Sequence, residues 1–211
     1  MEVATKIPLT LTERLEYGEL MRIPTKWEHF LNIVQHCDYR LEYDKGEIIS
    51  FMGYATENHE LLVAELIRII GNLLENKDFR IGGSNLALYI PDYKPHYFNA
   101  DCTVIKGKSQ KTQLYPGVNA IANPVLLVEV LSPSTENHDL GLKFRHYRKI
   151  PSLQQVLFVS STSMDVMNQT RVGNSDEWLL KEFKTKEGLV DILGQGTIKL
   201  ENIYSKIDFI K

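Results

Sequence analysis

Two acids stand in segments otherwise built for burial. In Val125–Leu131, VLLVEVL, strand alternation sets Leu127, Glu129 and Leu131 on one face and Leu126, Val128 and Val130 on the other, so both faces are apolar. A lone ionised carboxylate in such a place is strongly disfavoured, so Glu129 must be neutral, paired with a cation or bound to metal. The preceding apolar segment, NADCTVI at 99–105, repeats the oddity, with Asn99, Asp101 and Thr103 sharing a face. If the two strands are neighbours and the acids point the same way, their charges repel unless a divalent cation lies between them. Two hard oxygen donors suit Mg²⁺ or Mn²⁺, which bind one or two carboxylates together with water and phosphate oxygens, and the natural use of such a site is phosphoryl chemistry.

A third group follows. Asp139, Lys143 and Tyr147 recur at i, i+4 and i+8 in HDLGLKFRHYRKI, a predicted helix that begins a few residues beyond Glu129. An ammonium at Lys143 that reached back over the strand end would orient an attacking water and stabilise charge developing on a phosphate. The residues alone leave plainer readings open. Glu129 pairs with a buried Lys or Arg, Asp101 ends a strand, and Asp139 with Lys143 is a surface ion pair worth about 0.3–0.5 kcal/mol.

The elements that must position these groups are legible from periodicity. Trp27, Phe30, Leu31 and Val34 predict an amphipathic helix near 26–36. RLEY, Asp44-Lys45-Gly46 and EIISFM predict a β-hairpin, with Gly46 free to take positive φ. Leu62, Leu66, Ile69 and Leu73 mark the main helix over 57–76. LALYI at 86–90, NADCTVI, VLLVEVL and QQVLFVS near 155–160 are expected as strands. The strand, helix, strand order across SPSTEN and the second helix implies a parallel crossover. The polar stretch KGKSQKTQLYPGVNA is expected as a long lid or substrate-contact loop. After residue 161, alternating segments with turns between them predict antiparallel strands. The expectation is one domain over 1–211: an N-terminal helix and hairpin (1–56), a core (57–160) and C-terminal strands (161–211). Its class is α/β (α+β), with a mixed sheet flanked by helices.

Composition narrows the classes. The 211 residues are 43% hydrophobic and 24% charged, as in folded soluble domains, and the net charge of −3 leaves no broad cationic surface for nucleic acid. Cys37 and Cys102 have no metal spacing. MEVATKIPLT lacks a secretory core, and LLVAELIRIIGNLL, broken by Glu65, Arg68 and Asn72, is shorter than a membrane span. A reduced, cytoplasmic location and no membrane partner are expected.

Taken together, Val128-Glu129-Val130-Leu131-Ser132-Pro133-Ser134-Thr135 followed by Asp139, Lys143 and Tyr147 resembles the restriction endonuclease-like branch of the PD-(D/E)XK nuclease superfamily. RLEYDKGEIISF is similar to that branch's first hairpin, ENHELLVAEL to its core helix and LENIY to its ending, so the likeness covers nearly the whole chain. The resemblance implies a restriction endonuclease-like fold and Mg²⁺-dependent hydrolysis of DNA phosphodiesters. It assigns Asp101 and Glu129 to the metal with the Val130 carbonyl as a further ligand, and Lys143 to the hydrolytic water. It also points to Glu42 and His59 as accessory groups, and by their own chemistry the Ser132 hydroxyl could bind a phosphate oxygen and the Tyr147 hydroxyl could hydrogen-bond the site. Half-exposed strand, helix start, turn and core are the plainer readings of these four. Lys106, Lys108, Lys111 and Arg145 are candidate DNA contacts, with solvated surface as the alternative. Symmetric duplex cleavage would favour a homodimer.

Two positions depart from the motif. Ala100 replaces its proline, which carries no charge or donor, and Leu131 stands where its lysine is expected, the role that the branch moves onto the following helix. That departure and the acidic charge balance suit a rival reading, a catalytically inactive nuclease-fold binding or assembly module. Hydrolysis of a small phosphorylated molecule is a third.

Overall fold

A computed structural model describes residues 6–51 and 56–209. In chain order the first elements are α1 (Leu11–Leu15), β1 (Leu20–Pro24), α2 (Trp27–Val34), β2 (Glu42–Asp44), β3 (Glu47–Phe51) and α3 (Glu57–Leu74). Next come β4 (Phe79–Gly83), β5 (His96–Tyr97), β6 (Cys102–Lys106), β7 (Lys111–Tyr115), β8 (Val118–Ile121) and β9 (Pro124–Leu131). A helical stretch follows as α4 (Glu136–His138), a π-helical turn (Asp139–Lys143) and α5 (Phe144–Tyr147). The chain closes with β10 (Gln155–Ser160), β11 (Val166–Arg171), β12 (Trp178–Phe183), β13 (Leu189–Asp191), β14 (Thr197–Lys199) and α6 (Leu200–Ile203). Two compact units divide these elements: Met1–Ala55 with Asp92–Phe98, and Thr56–Pro91 with Asn99–Lys211.

The first unit is a four-stranded antiparallel sheet in the order β1-β3-β2-β5. The expected hairpin is present as β2 and β3, with Lys45 at φ 40° and Gly46 at φ 103°. Two positive φ values in a two-residue loop match the right-handed strand twist. The amphipathic face of α2 buries Phe30, Leu31 and Ile33, and Phe30 packs against Tyr43 at 4.8 Å between ring centroids. Arg14 is wholly buried yet satisfied, because its guanidinium donates to Ser50 Oγ and to the carbonyls of Gly18, Glu19 and Ser50.

The second unit holds a six-stranded sheet, β12-β11-β10-β9-β6-β4. Only β9 and β10 run parallel, as the intervening helical stretch requires. Every residue of β9 is buried, so its near-continuous apolar run reads as the central strand it is. On one face Cys102, Val104, Leu126, Val128, Val130, Leu157 and Val159 pack with Leu62, Leu66, Ile70 and Leu74 of α3. Thr56 caps that helix, its hydroxyl accepting from the His59 N–H. The C-terminal strands β11 to β14 pair antiparallel, as expected, but the last of them, expected over TIKLENIY, stops at Lys199 and turns into α6.

Three expectations need correction. Residues 86–90 form no named strand: Ala87 bridges Asn99 and Leu88 bridges Ile121 at single points, while the unexpected strand β4 supplies the sheet edge before them. The strand expected over 99–105 begins only at Cys102. The long loop is instead a two-stranded ribbon, β7 and β8, turned by Pro116 and Gly117. Gly117 takes φ 86°, the value that a turn with glycine after proline demands.

Candidate active site

Antiparallel pairing of Cys102 with Val128 sets the residues just outside it, Asp101 and Glu129, next to one another across β6 and β9. Both are almost fully buried, Asp101 at 4% exposed and Glu129 at 1%. Asp101 has left regular strand pairing, and its Oδ2 accepts the Val130 N–H at 2.9 Å. It therefore replaces a strand carbonyl as the partner of a buried backbone donor. From the start of α3, His59 Nε2 approaches the same oxygen at 3.4 Å. Burial disfavours the charged imidazole, but the hydrogen bond and charge of Asp101, helped by Glu60, outweigh it and raise the His59 pKa above its ordinary value.

Glu129 is engaged from the helical stretch on the other side of the chain's crossover. Lys143 Nζ lies 2.8 Å from Glu129 Oε1 and 3.2 Å from Asp139 Oδ1, and it donates to the Asn99 carbonyl at 3.2 Å. The Tyr147 hydroxyl donates to the same Glu129 oxygen at 2.6 Å. The i, i+4, i+8 series thus does face the strand, and the Asp139–Lys143 pair is buried, not a surface pair. The π-helical turn runs from Asp139 to Lys143. Such wider turns occur mostly as single insertions in helices and recur at functional sites.

The set as a whole holds three carboxylates, one ammonium and one imidazole within a few ångströms of water-excluded sheet. Asp101 and Glu129 offer the hard oxygen chemistry that Mg²⁺ takes when water and phosphate complete its shell. Among the described residues no group of three or more His, Cys, Asp and Glu side chains converges on one point.

The remaining sequence candidates fall elsewhere or differently. Val130 contributes its N–H to Asp101. Ser132 Oγ lies 3.1 Å from Ser134 Oγ and 3.2 Å from Thr135 Oγ1, inside the turn that opens α4. Glu42 belongs to the first unit, buried on β2. Lys106, Lys108 and Lys111 are exposed at the end of β6 and the start of the ribbon, and Arg145 is exposed on α5. Sequence reasoning missed the Asn99 carbonyl, since a backbone acceptor has no residue-type signature.

The architecture has solved counterparts. The crystal structure of a "putative nuclease belonging to DUF820" from Anabaena variabilis superposes with a TM-score of 0.62, covering 94% of this chain and 98% of that one at 16% identity. It shares the restriction endonuclease-like fold. Two proteins of Synechocystis sp. are closer in sequence. "Uncharacterized protein slr1290" is 32% identical over 163 residues, 77% of this chain and 82% of its own length. "Uncharacterized protein sll1609" is 32% identical over 153 residues, 72% of this chain and 84% of its own. The model of the Uma2 family, described as "Putative restriction endonuclease", matches residues 27–197. With most of its length matched and a nuclease fold around the acidic pair, this chain belongs to the Uma2 family.

Proposed function

We propose that the protein is a Mg²⁺-dependent endonuclease that hydrolyses DNA phosphodiester bonds at the Asp101–Glu129 pair, with Mn²⁺ as an alternative ion. One observation carries this reading: two almost fully buried carboxylates, Asp101 and Glu129, stand next to one another across β6 and β9, a pair of hard oxygen donors of the kind a divalent ion takes. Asp101 and Glu129 would hold the ion, with the Val130 carbonyl as a further oxygen. When bound, the ion supplies positive charge and lowers the pKa of a coordinated water.

The chain's own groups have defined tasks. Asp139 and the Asn99 carbonyl hold the Lys143 ammonium beside Glu129, where its positive charge would stabilise the negative charge that grows on the phosphate. Tyr147 fixes one oxygen of Glu129. His59 and the Val130 N–H fix one oxygen of Asp101. Preorganised donors in a site closed to water do most of the work in such a reaction, because they need not reorient as charge develops. A cytoplasmic homodimer, each protomer cutting one strand of a duplex, is the assembly this activity favours.

The test is metal-dependent cleavage of plasmid DNA by wild type, with Asp101→Ala and Glu129→Ala folded but inactive. Absence of cleavage of any DNA or RNA with Mg²⁺ or Mn²⁺ refutes the enzyme reading. The 2.8 Å contact between Lys143 and Glu129 favours one rival, a binding module of nuclease fold in which the lysine already balances the acid. Calorimetry separates the two: the module binds no Mn²⁺ and is stabilised by Asp101→Asn.

A further inference from the structure

The β7–β8 ribbon has the shape, charge and surface chemistry of an element that enters a DNA groove. Residues 102–128 contain three lysines, Lys106, Lys108 and Lys111, and no Asp or Glu, in a chain whose net charge is −3. All three lysines are exposed, and none is ion-paired with a described residue. At the ribbon's foot, Asp78 stands beside Gly107. Along β7, Lys111, Gln113 and Tyr115 are exposed while Thr112 and Leu114 are half-buried. Asn119 of β8 is exposed directly opposite Gln113, whereas Ala120, opposite Thr112, is fully buried. The face with Thr112 and Ala120 is therefore seated on the core, and the other presents two adjacent carboxamides to solvent, with Tyr115 at the turn and, at the foot, exposed Lys111 opposite the buried Ile121.

The ribbon is held firmly and near the acids. Asn123 clamps its foot, accepting from the Gln110 N–H at 2.7 Å and donating to the Lys108 carbonyl at 3.1 Å. The Ile121 N–H donates to the Ala87 carbonyl at 2.7 Å, and Ala87 in turn bridges Asn99, whose carbonyl receives Lys143. One residue, Ala87, thus touches both the ribbon's second strand and the residue two positions ahead of Asp101.

We propose that this ribbon reads duplex DNA through the major groove, with Gln113 and Asn119 addressing base edges and Lys106, Lys108 and Lys111 neutralising backbone phosphates. The inference rests on the endonuclease reading above and adds how its substrate is recognised. Two strands about 4.8 Å apart fit a groove about 12 Å wide. Carboxamides pair bidentately with adenine, and lysine with guanine or phosphate. The major groove of duplex RNA is too deep and narrow for side chains to read, so the surface is matched to DNA.

The test uses the full chain with Asp101→Asn to suppress cleavage, labelled short DNA duplexes of mixed sequence, and a selection from a random duplex pool. Combined Lys106→Ala, Lys108→Ala and Lys111→Ala should lower the slope of log affinity against log salt by about 2.7, three phosphates at about 0.9 each. Gln113→Ala with Asn119→Ala should keep that slope and flatten the selected sequence preference. Circular dichroism confirms that these surface variants stay folded. An unchanged slope in the lysine variant, an unchanged preference in the carboxamide variant, or tighter binding of duplex RNA than DNA overturns the ribbon's role. If wild type cuts DNA while the ribbon variants bind as before, the ribbon inference alone fails. If wild type neither binds nor cuts any DNA or RNA, the endonuclease reading fails with it.

Discussion

Replacing Lys143 by methionine removes the ammonium and keeps an unbranched side chain of similar length, so the change reports on charge with little loss of packing. The lysine side chain is 3% exposed, and its partners Glu129 and Asp139 are 2% and 7% exposed. Its loss takes from two buried carboxylates the ammonium that both of them contact. Breaking a buried ion pair from one side costs about 3–5 kcal/mol. In a protein of this length each kcal/mol moves the melting temperature by about 2–4 °C, so Lys143→Met should melt roughly 6–20 °C below wild type in EDTA. Thermal melts followed by circular dichroism measure this directly. Adding Mn²⁺ should restore part of the loss in Lys143→Met, about 2.7 kcal/mol at a free concentration of 100 times the Kd, because the ion then replaces the missing positive charge. Glu129→Gln in the same background should also recover stability, with a coupling of about 0.5–3 kcal/mol between the two positions. A melting temperature for Lys143→Met within about 2 °C of wild type in EDTA would refute the argument, since the acids would then need no lysine.

Other changes probe the same network and its surroundings. Tyr147→Phe keeps a fully buried ring and deletes the hydrogen bond to Glu129, which should lower stability by about 1.5–3 kcal/mol in urea unfolding. Leu131 is buried on the same face as Glu129 and two residues on, about 6.8 Å along the strand. Leu131→Lys should therefore raise the stability of Lys143→Met in the same melts, although alone it places an unneeded charge in the core. On α3, the hydrogen bond from Arg68, and next that from Lys206, hold the Glu65 carboxyl below its ordinary value of 4.5 against the opposing effect of burial. A depressed carboxyl stabilises the fold above the unfolded value and loses that contribution as pH falls through the folded one. The stability difference between wild type and Glu65→Gln should be level from neutral pH to about 4.5 and shrink below it, as measured by urea unfolding across pH.

Much of this architecture is written in side-chain periodicity. VLLVEVL announces a strand buried on both faces because nothing polar interrupts it except one acid, and Asp44-Lys45-Gly46 announces its turn because glycine accepts the required positive φ. LALYI misleads, since an apolar run is equally suited to an irregular segment sealed under neighbouring strands, with Pro91 ending it. The ribbon was legible in principle: KTQLY and VNAI flank Pro116-Gly117, but their lysines and carboxamides imitate a solvated loop when the eye follows composition before alternation.

At the acidic pair the division is sharper. The residue types that make the cluster, Asp101, Glu129, Asp139, Lys143 and Tyr147, all stand out along the chain because charge and spacing mark them. The groups that fix their geometry, the Val130 N–H and the Asn99 carbonyl, are common to every residue and leave no mark. The lysine's reach is likewise a matter of helical register. A lysine at position 131 would be tied to Glu129 by the strand itself. Placed at 143 it meets Glu129 through a separate element, and Asp139 one turn earlier restrains its free end. Moving the cation onto the helix thus lets Leu131 pack as an ordinary core residue, and it makes the charge balance at Glu129 depend on how the π-helical turn seats against the sheet.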